Sequence, residues 1–118
     1  MSEPSTSPHR GPDLTPAEVL AAHAEGGVLL LDVREPDEWD GGHAAGATHI
    51  PLGDLDPTQL DPAVPVIAIC RSGNRSGKAA DKLAAAGIEV RNMAGGMNVW
   101  QDLGLPVVRD DGTPGTIG

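Results

Sequence analysis

The chain has no phenylalanine and no tyrosine, and its two tryptophans, Trp39 and Trp100, bring aromatics to only 2% of 118 residues. A core must therefore be assembled from Val, Leu, Ile and Ala, which suits a parallel sheet covered by alanine-rich helices. Basic residues are scarce as well: eight Lys and Arg stand against seventeen Asp and Glu, a formal charge of −9. Such a surface repels phosphate backbones and anionic lipid, so neither nucleic acid nor a membrane is an expected partner. No apolar run is long enough to span a bilayer, and the opening MSEPSTSPHRGPD lacks the apolar stretch of a secretion signal. Cysteine occurs once, at Cys70, which excludes an internal disulfide and fits a reducing compartment. The expectation is a soluble, cytoplasmic, single-domain protein, and nothing in the sequence calls for an obligate oligomer, so a monomer is expected.

What is present alternates. Residues 1–13, rich in Pro, Ser and Gly, read as a flexible arm and residues 109–118 as a flexible tail, leaving 14–108 as the folded domain. Structure should begin at LTPAEVLAAHAEGG, where Thr15 is a good N-cap, Pro16 fits the first helical position and Glu18 completes a capping box. VLLLDVR and VPVIAI are apolar without alternation, as buried parallel strands are. Between them, EPDEWDGGHAAGA reads as a turn and short helix, THIPL as a short strand, and the proline-rich GDLDPTQLDPAVP as a loop with one helical turn. NRSGKAADKLAAAG places Ala79, Ala80, Leu83 and Ala84 on one helical face; IEVRNM is another strand and GGMNVWQDLG a last helix. The fold class is α/β: a small, mainly parallel sheet with helices on both faces.

Cys70 ends the most strand-like run, and CRSGNRSGKAA follows it into a helix. In parallel sheets this is where ligands bind, because the next helix presents its N-terminal amides there. Gly73 and Asn74 both tolerate positive φ, so the loop can curl its N–H groups inwards, and Arg71 and Arg75 add positive charge. Each feature favours thiolate over thiol, and the thiolate is the nucleophile. A lone cysteine is ordinarily a small buried hydrophobe; the strand-end position and the arginines set this one apart. Ser72 and Ser76 serve equally as turn and capping residues or as proton donors, and Lys78 reads as a solvated helix residue. No phosphate-binding G-x-x-x-x-G-K-[ST] and no G-x-S-x-G nucleophile turn occurs, and His9, His23, His43 and His49 lack metal-ligand spacing. Structural turn roles are expected for His43 and His49.

Three segments, in order, resemble the rhodanese-like single-domain sulfurtransferases. LLLDVREPDEWDGGHAAGATHIPL resembles the upstream signature, CRSGNRS the active-site loop, and MAGGMNVWQDLGLPV the closing segment. One departure is the Ala44-Ala45 pair after Gly42-His43, where the family usually carries a bulkier pair. The resemblance implies that Cys70 takes a sulfur from thiosulfate or another persulfide donor, holds it as a persulfide, and passes it to a thiol, a protein or cyanide. It implies that Arg71, Ser72, Gly73, Asn74 and Arg75 surround that persulfide, that Asp32 and Arg34 support the loops structurally, and that no cofactor or metal takes part. The stretch from Cys70 to Arg75 is six residues, the length of the sulfur-transferring branch; the phosphatase branch has one more. A cysteine-dependent phosphatase or arsenate reductase, and a non-catalytic binding module, are the alternatives on the same fold.

Overall fold

The computed structural model describes residues 9–117. Four parallel strands form the central sheet: β1 (Leu29–Asp32), β3 (Thr48–His49), β4 (Val66–Ile69) and β5 (Val90–Asn92), in spatial order β3-β1-β4-β5. Because side chains alternate across a strand, β1 and β4 each feed two cores. Leu31, Val33, Val66 and Ala68 face one way and meet α3 (Asn74–Ala85) through Ala79, Ala80, Leu83 and Ala84. Leu30, Ile67 and Ile69 face the other way and meet α1 (Pro16–Glu25) at Val19 and α4 (Gly96–Asp102) at Met97 and Trp100. Small alanines on α3 let the helix lie close to the sheet, which compensates for the lack of aromatic filling.

The local signals hold. Thr15 caps α1 with a complete capping box to Glu18, Pro16 opens the helix, and Gly26 ends it. A short helix, α2 (Pro36–Gly41), follows β1, and two single 3₁₀ turns, at Leu52–Asp54 and Pro57–Gln59, occupy the proline-rich stretch. Asn74 begins α3, as the sequence suggests, and among the described residues only glycines have positive φ, so Gly73 and not Asn74 makes the left-handed turn (φ 103°).

Both ends of the described stretch lie on the fold. Residues 1–8 of the expected arm lie outside the described residues, while its inner end runs along β5: Gly11 N–H donates to Val90 O at 3.0 Å and Leu14 N–H to Asn92 O at 2.9 Å. Where a flexible tail was expected after Val108, residues 109–117 take a defined course. β6 (Val107–Val108) pairs antiparallel with β2 (His43–Ala44), and the chain turns back so that Gly115 N–H donates to Val107 O. Ile117 N–H donates to Gln101 Oε1 at 2.8 Å, and its side chain, only 7% exposed, joins the Met97–Trp100 core. The physical reason is an apolar residue at the end of a polar segment, with a ready acceptor for its amide. No helix among the described residues is long and apolar enough to cross a membrane.

Candidate active site

Cys70 follows the last residue of β4, and α3 starts four residues later, so the loop sits at the C-terminal edge of the sheet. Its Sγ accepts hydrogen bonds from the Gly73 amide at 3.0 Å and the Ser76 hydroxyl at 3.3 Å. Burial pushes the thiol pKa up, but the Ser76 hydroxyl and the amides of Ser76, Gly73 and Ser72 outweigh it and hold the pKa below the ordinary thiol value. The loop donors therefore make Cys70 easier to ionise than an ordinary thiol although it is fully buried.

Ser76 has one proton and two acceptors. Its hydroxyl lies 2.5 Å from Asn92 Oδ1 as well as 3.3 Å from Cys70 Sγ. Asn92 ends β5 and is oriented by donating through Nδ2 to Asp13 at 3.3 Å. A negative sulfur is the stronger acceptor, so the shared proton can follow charge as it appears on Cys70.

The backbone beneath the loop is held by the first turn of α4. The Met97 amide donates to Cys70 O at 2.7 Å and the Asn98 amide to Arg71 O at 2.9 Å, placing the start of α4 directly under the loop. That approach requires Gly96: a Cβ there would lie 2.5 Å from the Cys70 and Arg71 carbonyl oxygens, at a φ of +60°.

Two arginine–carboxylate pairs lie near the loop. Arg34 Nη2 bonds Asp32 Oδ2 at 2.8 Å and the Gly42 carbonyl at 2.7 Å, tying the end of β1 to the segment after α2. Arg75, which closes the loop, points both guanidinium ends at Glu38 of α2, at 2.5 and 2.8 Å. The Arg75 guanidinium pulls the Glu38 carboxyl down to about 2 from its ordinary 4.5, and Glu38 in turn raises Arg75 above its ordinary value. Of the residues expected at the site, Cys70, Gly73, Arg75 and the Ser72 amide are thus brought together. Arg71 and Asn74 are exposed at the rim, while Asp32 and Arg34 form a buried pair behind.

Glu38, Ser76, Asn92 and Gly96 complete the arrangement. The acidic stretch between Arg34 and Gly42 was the available signal for Glu38. His43 and His49 lie to one side, both stacked parallel to Trp39, with centroids 3.5 and 4.8 Å away. His43 Nδ1 lies 3.0 Å from Trp39 O and His49 Nε2 2.7 Å from Arg34 O, so both ring systems pack the β1–α2 segment.

A sequence model of the rhodanese-like domain matches residues 15–103. The chain is 36% identical over 104 residues to an uncharacterized protein of Synechocystis, covering 86% of this chain and 58% of that one. It is 33% identical over 91 residues to the thiosulfate sulfurtransferase GlpE of Pseudomonas entomophila, covering 75% of this chain and 83% of that one. Among solved structures, a rhodanese-related protein from Thermoplasma volcanium superposes with a TM-score of 0.77 at 30% identity, covering 83% of this chain and 98% of that one. A Rhodopseudomonas palustris protein described as a possible tyrosine phosphatase superposes with a TM-score of 0.70 at 27% identity, covering 80% and 83%.

Proposed function

The chain belongs to the rhodanese-like domain family, and on that premise we propose that it is a sulfurtransferase working through a persulfide on Cys70. The observation that carries the reading is the sulfur's own environment: a thiolate-favouring set of loop donors inside a six-residue ring closed by Arg75. The Cys70 thiolate attacks the outer sulfur of thiosulfate, or of another persulfide donor. A sulfur–sulfur bond forms to Cys70, the donor's own sulfur–sulfur bond breaks, and the leaving group, sulfite from thiosulfate or the parent thiolate from a persulfide, departs with the electron pair. A nucleophilic acceptor then attacks the terminal sulfur, and the electron pair of the broken bond returns to Cys70 as thiolate. When the acceptor is a thiol, it gives up its proton and leaves as a persulfide. Two displacements replace one difficult transfer.

The chain's residues have distinct parts in this. Amides of Ser72, Gly73 and Ser76 stabilise negative charge on Cys70 in the resting state, and the Arg71–Arg75 backbone does so for the persulfide. Arg71, at the rim, meets the incoming anion. Arg75 keeps the ring closed through Glu38 rather than gripping substrate, since both ends of its guanidinium are engaged. Asp32 and Arg34 hold the β1 end in place.

A phosphatase is the second reading, favoured by the likeness to the possible tyrosine phosphatase. The short ring and the occupied Arg75 weigh against it, because phosphate capture needs a wider cradle and a guanidinium directed at the ester. Cyanide-dependent thiocyanate release from thiosulfate, lost in Cys70→Ser, tests the first reading. Aryl phosphate hydrolysis lost in the same variant would reverse the order. Cytoplasmic location and a monomeric state belong to this proposal, as do the sulfur donor and the thiol or protein acceptor.

A further inference from the structure

Behind Cys70, a line of polar side chains runs from the sulfur to the N-terminal arm. Cys70 and Ser76 are fully buried and Asn92 nearly so, yet the line ends at Asp13, a half-exposed residue of the arm. Asp13 lies ahead of residue 15, where the family match begins. Its place is set by the backbone. The Leu14 N–H donates to Asn92 O at 2.9 Å and the Ala94 N–H to Leu14 O at 2.8 Å, so Asp13 sits beside the end of β5. Its two carboxylate oxygens are divided. Oδ2 accepts from Asn92 Nδ2 at 3.3 Å, and Oδ1 lies 3.5 Å from Arg10 Nη2. Arg10 is in turn tied to α3, donating to Gly77 O at 3.2 Å and to Asp81.

The carboxylate decides which way the Asn92 amide faces. A carboxylate only accepts, so the amide nitrogen turns to Asp13 and the amide oxygen to Ser76. An amide oxygen also only accepts, so the Ser76 hydroxyl, 2.5 Å away, donates to it. That is the single proton for which Cys70 Sγ competes from 3.3 Å. Without the carboxylate the preference reverses. The charged side chain left beside Asn92 on the arm is Arg10, which only donates and therefore favours the amide oxygen. With the amide turned, Nδ2 donates to Ser76 Oγ and the hydroxyl proton is released to the sulfur alone.

Ionisation and reactivity pull in opposite directions here. A donor to the sulfur makes the thiolate easier to form, but a more stabilised thiolate attacks another sulfur more slowly. Resting on the sulfurtransferase reading above, we propose that Asp13 is a positioning residue: through Asn92 it holds the Ser76 hydroxyl partly away from Cys70 and so keeps the thiolate a strong nucleophile. The other charges around the loop are Arg75 of α3 with Glu38 of α2, Arg71 of the loop itself, and the buried Asp32–Arg34 pair at the end of β1. The first turn of α4, residues 96–99, carries none. A change at Asp13 leaves all of these in place.

Cys70 is the only cysteine, so the ultraviolet absorbance of thiolate, with Cys70→Ser as the blank, follows its ionisation alone. In Asp13→Ala the thiolate fraction on the acid side of the titration should rise roughly fivefold, the worth of one hydrogen bond. In a Ser76→Ala chain the same substitution should raise it by less than about twofold, since only the loss of a solvent-screened charge remains. No rise in the first case, or an undiminished rise in the second, overturns the proposal.

Rates give an independent sign. Persulfide formation from thiosulfate should be about twofold slower in Asp13→Ala at alkaline pH, where all of Cys70 is thiolate, and roughly twofold faster in acid. Profiles that cross support the role. A rate lowered at every pH marks Asp13 as structural only and overturns it.

Wild type answers without any substitution. By NMR, the Asn92 Nδ2 protons should show stronger nuclear Overhauser contacts to the Asp13 methylene than to that of Ser76, and the reverse order overturns the proposal. If thiosulfate yields no persulfide, the sulfurtransferase reading fails by itself. The thiolate titration and the proton contacts still decide whether Asp13 directs the Ser76 hydroxyl.

Discussion

Two arginine–carboxylate pairs lie near the loop, and their surroundings assign them different work. Asp32 and Arg34 are buried to 0% and 1% exposure and are joined by several hydrogen bonds, with the Gly42 carbonyl taking one further donor. Glu38 and Arg75 remain 24% and 33% exposed, and they connect the short α2 to the residue that closes the ring. Breaking a desolvated pair strands a charge; breaking a wet one mainly releases what it was holding. The first pair should therefore govern whether the domain folds, and the second how the loop is shaped around Cys70.

The sharpest way to break that distinction is to cut the buried pair. Asp32→Asn should lower unfolding stability by about 3–5 kcal/mol in denaturant titration, since Arg34 keeps its charge without its partner. A loss as small as that of an exposed pair would erase the contrast. Next comes Gly96→Ala, which attacks the loop from beneath without touching either pair. The added carbon meets the Cys70 and Arg71 carbonyls, so stability should fall by about 1–3 kcal/mol, and thiocyanate production should fall with it.

Glu38→Gln sharpens the other half. The Glu38 carboxyl titrates at about 2 in the folded chain against an ordinary 4.5. A depressed carboxylate pKa contributes stability that is complete above 4.5 and lost as pH falls towards 2. With both side chains partly exposed, solvent screening keeps the gap between wild type and variant near about 1 kcal/mol, closing in acid. A gap independent of pH would mean that the pair is not the cause. The smallest effect is expected from Ser76→Ala. Removing the hydroxyl takes away one donor to the thiolate, so the acid limb of the pH–rate profile moves to higher pH. Persulfide formation at neutral pH should slow roughly fivefold, the worth of about 1 kcal/mol. An unmoved limb would show that the Ser76 proton stays with Asn92.

The same contrast separates what could be read in the sequence from what could not. The Thr15 capping box, the Gly26 stop and the strand-end cysteine are set by neighbours a few residues apart, and their signals are local. The parallel sheet with helices on both faces was legible from unbroken aliphatic runs such as VPVIAI. The hold on Arg75 was not, because Glu38 lies 37 positions away and the pairing exists only once α2 is seated against the loop. The contest for the Ser76 proton depends on Asn92, 16 positions on, brought there by β5. Residues 109–117 look like a loose tail because their composition is polar; Ile117, with Gln101 to take its amide, and the contacts of Asp110 and Thr116 with Trp39 and Gly41 determine their course. Gly41 and Gly42 read as a turn, whereas their lack of side chains admits that returning segment.

The central claim is that Cys70 carries sulfur. Incubation with thiosulfate followed by intact mass spectrometry tests it most directly. The account predicts that wild type gains the mass of one sulfur atom, that the gain disappears on adding cyanide, and that Cys70→Ser gains nothing. Wild type that gains nothing, or a Cys70→Ser chain that still takes up sulfur, would contradict it.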